Sequence, residues 1–166
     1  MRGKAGDASG GAPSSRPSGA VSNVTARVRR RFRASPERVF DAWLEPRQVR
    51  LWLGEAARRE GLGELATVEI EPRVGASFRF VYGHGEERLV QSGRYLELDR
   101  PRRLVFSWDM ALPHVELVVI DITPTADGCE LVLDHVMDPG WSGDASGVTA
   151  AWASVLEALG HMLAEF

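Results

Sequence analysis

Four histidines, one cysteine and an arginine-rich first strand are the residues of this chain with the types to do chemistry. His84, His114, His135 and His161 share no element at ligand spacing, so no metal site is expected from them. His135 alternates with Leu131 and Leu133 on one strand face, while Val132 and Asp134 take the other. An inward histidine of this kind is either a hydrogen-bonded core residue or a polar anchor in a pocket. Arg30 poses the same question, because Val28, Arg30 and Phe32 face inward while Arg27, Arg29, Arg31 and Arg33 face outward. A buried guanidinium must be paired, so Arg30 reads as an ion-pair partner of an acidic neighbour or as a ligand anchor. The outward arginines read as charge guarding an edge strand, with an acidic partner as the other reading. Cys129 opens a strand after a turn and reads as a small structural residue. No Gly-x-Ser-x-Gly and no Cys-His pair is present. Gly61-Leu62-Gly63-Glu64-Leu65-Ala66 spells a loose dinucleotide loop, but it precedes a strand instead of following one and is rejected.

The elements that position these groups are readable from periodicity. Ser35 and Pro36 make an N-cap and first helical residue. Val39, Phe40, Trp43 and Leu44 then form one apolar helix face, and Glu45-Pro46 ends it before a second short helix carrying Trp52. Residues 55–65 read as a connector around Gly61 and Gly63. Strand patterns follow at Thr67–Glu71, Ser77–Tyr82, Leu89–Leu98, Arg103–Met110, Val115–Thr123 and Glu130–Val136, separated by turn residues. Their close spacing, with no crossover helices, predicts one curved antiparallel sheet. A long helix over Gly147–Ala164 carries Val148, Trp152, Val155, Leu156, Leu159, Met162 and Leu163 in a continuous apolar stripe. Sheet and helix together predict a two-layer α+β domain, the helix lying across the concave face.

Composition limits the function classes. With 166 residues, 44% of them apolar, one domain can bury roughly 68–70% of its unfolded surface. A formal net charge of −3 argues against nucleic-acid binding, which depends on neutralising phosphates. A single cysteine excludes an internal disulfide, so a reducing compartment, the cytoplasm, is expected. No apolar run nears the ~20 residues that span a bilayer, and no apolar stretch follows Arg2 and Lys4 to make a secretory signal. Asn23-Val24-Thr25 is then a chance sequon. Residues 1–21 are rich in Gly, Ser, Ala and Pro without periodicity and read as a disordered tail preceding a domain over 22–166.

Taken in order, several stretches resemble a known family. They are Arg30-Arg31-Phe32-Arg33-Ala34-Ser35-Pro36, Val39-Phe40-Asp41-Ala42-Trp43, Trp52, and Val74-Gly75-Ala76-Ser77-Phe78-Arg79-Phe80. Gly93-Arg94-Tyr95-Leu96-Glu97-Leu98, Pro101 to Trp108, Asp121-Ile122-Thr123-Pro124, Gly128, Leu131 to His135 and Trp152 continue the series. Together these resemble the Aha-type domains (activator of Hsp90 ATPase-like) of the START-like or SRPBCC superfamily, over roughly residues 24–165. Ala76 and Leu53 depart from the family pattern, which often has a glycine and a second tryptophan there.

The resemblance implies a helix-grip fold, with about seven strands wrapped around the C-terminal helix and a cavity between the two layers. It implies an apolar small-molecule ligand such as a lipid, polyketide or aromatic metabolite, bound without catalysis. Candidate ligand-binding residues are Arg30, Trp52, Phe78, Phe80, Tyr95, Trp108, His135, Trp152 and Leu156. Phe78, Phe80, Trp108 and Trp152 are expected to border a common void of about 300–1,000 Å³, with Trp52 near its mouth on helices able to act as a gate. No catalytic residue, metal or cofactor is expected. Core packing alone is the competing account of the aromatic residues. Two other functions stay open: a cyclase-like enzyme drawing on His135, Tyr95 or Arg30, and a co-chaperone-like module with a chaperone or other protein partner. A homodimer also stays open; nucleic acid and membrane are not expected partners.

Overall fold

Alternating apolar and charged residues along Val24–Phe32 build an edge strand, β1, whose Ala26 and Phe32 are buried while Arg27, Arg29 and Arg31 face solvent. The computed structural model describes residues 23–109, 115–138, 140 and 145–166; the expected N-terminal tail, Met110 and His114 lie outside them. The outward arginines are matched by carboxylates of the neighbouring strand. Arg27 bonds Asp134 at 2.7 Å, and Glu130 receives Arg31 at 3.3 Å and Arg29 at 3.5 Å. Each pair is solvent-exposed on the arginine side and screened by water, so this ladder sets register more than stability.

Ser35 opens α1 (Pro36–Ala42), its Oγ accepting from the Arg38 amide at 3.2 Å. Ser35→Ala is expected to cost about 1 kcal/mol and lower the thermal midpoint by about 2–4 °C in a calorimetric scan. Glu45 caps α2 (Pro46–Arg59) in the same way, through the Gln48 amide at 2.9 Å. α2 is longer than the sequence pattern suggests. Residues 55–59, expected as connector, continue the helix because Glu55-Ala56-Ala57-Arg58-Arg59 are strong helix formers and bury Ala56 and Ala57. Gly61 and Gly63 then break it.

The strands β2 (Leu65–Ile70), β3 (Ser77–Tyr82), β4 (Leu89–Asp99), β5 (Arg103–Trp108), β6 (Glu116–Thr125) and β7 (Gly128–Met137) complete one sheet. Its order is β1-β7-β6-β5-β4-β3-β2, antiparallel throughout. β4 is the bend in it: Leu89–Arg94 pairs with β3 and Tyr95–Asp99 with β5, so the strand turns from one partner to the other around Gly93. The long helix α3 (Ala145–Glu165) packs against β1 and α2, with Leu156, Ala158 and Leu159 fully buried. Seven curved antiparallel strands closed by α3, with two helices after β1, are the helix-grip arrangement. No helix among the described residues is long and apolar enough to cross a membrane.

Candidate functional site

Side-chain alternation brings an aromatic wall to the concave face. β3 supplies Phe78 and Phe80, β4 Tyr95, and β5 Phe106 and Trp108, all buried. Phe78 is the hub, with ring centroids 5.2 Å from Phe80, 5.5 Å from Tyr95, 5.4 Å from Phe106 and 6.0 Å from Trp108. The helices answer with Trp43 at the end of α1, Trp52 from α2 and Trp152 from α3. Trp43 lies 4.9 Å from Trp52, and Trp108 5.3 Å from Trp152, between ring centroids.

These rings pack too closely to leave the large void expected between them. The chamber that they border holds about 30 Å³ of free volume, room for a water or two. The larger space adjoins it on the outer side. A cleft of about 270 Å³ is walled by Leu53, Ala56 and Ala57 of α2, by Tyr82, Leu89, Gln91 and Trp108 of the sheet, and by Ala151, Trp152 and Val155 of α3. Leu53, Trp108 and Trp152 line both spaces, so chamber and cleft adjoin across these three side chains. The cleft exists because α2 continues through Ala56 and Ala57, whose small side chains leave room. Its polar features are the exposed Glu60 carboxylate just past α2 and a satisfied pair, the Tyr82 hydroxyl donating to Gln91 Oε1 at 2.8 Å.

Behind Trp152 lies a buried polar relay. Trp152 Nε1 donates to His135 Nδ1 at 2.9 Å, and His135 Nε2 meets Glu116 Oε2 at 2.5 Å. Since Nδ1 accepts, the ring proton sits on Nε2 and is donated to the carboxylate. Burial of the imidazole is the larger influence and holds its pKa below the ordinary 6.5, against the opposing pull of Glu116. The relay fixes the Trp152 indole, which forms the partition between core and cleft.

The expected site residues therefore divide. Phe78, Phe80, Tyr95 and Trp52 border the chamber, and Trp108 and Trp152 border both spaces. Trp52 is buried, its Nε1 donating to the Ala42 carbonyl at 2.9 Å, and lines the chamber instead of the cleft mouth. His135 stands behind the wall, and Leu156 is core. Arg30 lies elsewhere, half-buried on β1 beside Gly160 of α3, with its guanidinium carbon 5.9 Å from the Phe32 ring centroid. It makes no ion pair with another described residue; the Phe32 face takes the place of the acidic neighbour expected for it. Glu116, Gln91 and the Ala56–Ala57 wall were not singled out from the sequence. Glu116 had a signal, because it precedes Val118, Ile120 and Ile122 at the same alternation. Among the described residues no cluster of histidine, cysteine and carboxylate side chains could hold a metal ion.

A family model described as activator of Hsp90 ATPase homolog 1-like protein matches residues 33–164. No curated protein matches the chain in sequence. Solved structures do match in fold. A Rhodobacter sphaeroides protein is 25% identical, with a TM-score of 0.73 over 85% of this chain and 92% of its own. Mll3558 of Rhizobium loti is 27% identical, with a TM-score of 0.67 over 84% and 96%. DynU16, described as a protein in the dynemicin biosynthetic locus, is 21% identical, with a TM-score of 0.66 over 84% of this chain and 46% of its own.

Proposed function

The chain belongs to the activator of Hsp90 ATPase homolog 1-like family, and on that premise we propose that it binds an apolar, ring-bearing small molecule in the cleft between α2, α3 and β3–β4. Proteins of this family commonly bind hydrophobic ligands. The observation that carries the reading here is the 270 Å³ apolar cleft adjoining an aromatic chamber. Pockets of roughly this size and composition suit drug-sized apolar molecules. Binding without chemistry is favoured because both ring nitrogens of His135 are engaged and Arg30 lies outside the site. Burial raises the Tyr95 phenol well above its ordinary pKa, making it a poor base precursor.

N-phenyl-1-naphthylamine tests this directly. Its emission should rise saturably on mixing with the protein while tryptophan emission falls. Ala151→Phe, which fills the cleft from an exposed helical position, should weaken binding by about tenfold, or ~1.4 kcal/mol. Trp152→Leu should diminish the response as well while the protein stays folded. Absence of saturable binding, or equal affinity in both folded variants, would rule the cleft out as the site.

A further inference from the structure

Trp43 has a donor that no described residue uses. Its ring is buried at 6% exposure, yet no oxygen or nitrogen among the described residues accepts from its Nε1. The tryptophans packed on it are satisfied, Trp52 by the Ala42 carbonyl and Trp152 by His135. An unmade bond on a buried N–H costs about 1–3 kcal/mol, and native structures keep few such groups without a reason. Trp43 borders the inner chamber, whose 30 Å³ would accommodate a single oxygen atom on a ligand held in the cleft. Tyr95 borders the same chamber, and its hydroxyl makes no hydrogen bond to another described residue. Among the described residues no arginine, lysine or histidine lines chamber or cleft, and the one charged side chain there is the Glu60 carboxylate, so an anionic group would be desolvated without a counter-ion.

Resting on the binding reading above, we propose that the ligand is a neutral, flat apolar molecule bearing one hydrogen-bond acceptor, such as an aryl ketone or quinone, whose oxygen enters the chamber and accepts from Trp43 Nε1. The apolar rings lie outward in the cleft between Leu53, Trp108 and Trp152. A fatty acid or other carboxylate is disfavoured by the same lining, since among the described residues its charge would meet carbon, neutral donors and the like-charged Glu60 carboxylate.

9-Fluorenone and fluorene separate this donor from mere hydrophobic burial, because they differ in one carbonyl and fluorene is the more apolar. Native protein should bind fluorenone about tenfold more tightly than fluorene, by calorimetry or competition with N-phenyl-1-naphthylamine. Replacing Trp43 with 3-benzothienylalanine keeps the ring shape and removes the N–H; the preference should vanish there. Carbonyl-labelled fluorenone should show its ¹³C resonance moved downfield in native protein, a readout that needs no variant. Fluorene-9-carboxylate should not compete. Equal binding of ketone and hydrocarbon to native protein, with an unshifted carbonyl, would overturn the donor role and leave the binding site standing. Preferential binding of the carboxylate would overturn the neutral-ligand assignment. Failure of every probe to bind would overturn the binding reading and the donor role with it.

Discussion

His135→Leu is expected to cost about 3–5 kcal/mol of unfolding free energy, because it strands a buried carboxylate without its hydrogen-bond donor. The substitution leaves the Glu116 carboxylate, only 8% exposed, without the imidazole donor and Trp152 Nε1 without its acceptor. Adding Glu116→Leu should recover most of the loss, because removing both polar ends leaves no uncompensated charge. The residual cost then belongs to the Trp152 N–H. Urea unfolding of the native protein, both single variants and the double variant measures the coupling as a cycle. A His135→Leu protein within about 1 kcal/mol of native, a routine surface-type effect, would show the relay to be energetically idle.

The same group gives stability a pH dependence whose sign follows from burial. The folded-state pKa of His135 lies below 6.5, so the unfolded chain takes up a proton first as pH falls. Its contribution to stability is complete above the unfolded value and declines as pH drops from there toward the folded value. Protonation of Nδ1 would also set an N–H against the N–H of Trp152, which explains why the folded protein resists it. Comparing urea midpoints at pH 7.5 and 5.5 in native protein and His135→Leu should show a smaller fall in the variant.

Which of these features the sequence announces depends on whether they are local. The β5 face of Leu104, Phe106 and Trp108 and the cap at Ser35 follow from alternation and a single hydroxyl, and the family resemblance supplied the order of the elements. Expectations failed where a partner lies far along the chain. Glu116 is two residues from Val118 on an otherwise apolar face, and only the β6–β7 register, with Val118 opposite His135, makes it the histidine's partner. Arg30 looks like an ion-pair residue until α3 sets Gly160 beside it. The void was misjudged in the same way. Periodicity places aromatic side chains on inner faces but does not say how closely the rings approach, and the space falls one helix turn further out, at Ala56 and Ala57.

Gly93→Ala is expected to be at least as damaging to the site as any loss of a wall residue. A methyl group there would sit 1.9 Å from the Ser107 carbonyl oxygen and 2.6 Å from Phe78 Cζ. Neither neighbour can retreat cheaply. Ser107 belongs to β5, paired to β6 at Leu117. Phe78 is held by Phe80, Tyr95, Phe106 and Trp108 on the remaining sides. Overpacking of this kind costs about 3 kcal/mol or more when backbone must move. That corresponds to a thermal midpoint lower by roughly 6–12 °C for a domain of this size. The displaced hub would also push Trp108 into the cleft, so probe affinity should fall even at temperatures where the variant is folded. Gly75→Ala is the comparison, because its φ of +86° strains the backbone while no atom lies within 4 Å of the new methyl group. It should cost about 1 kcal/mol and leave probe binding intact. If the two variants melt together and bind the probe alike, the close approach at Gly93 does not set the position of the aromatic wall.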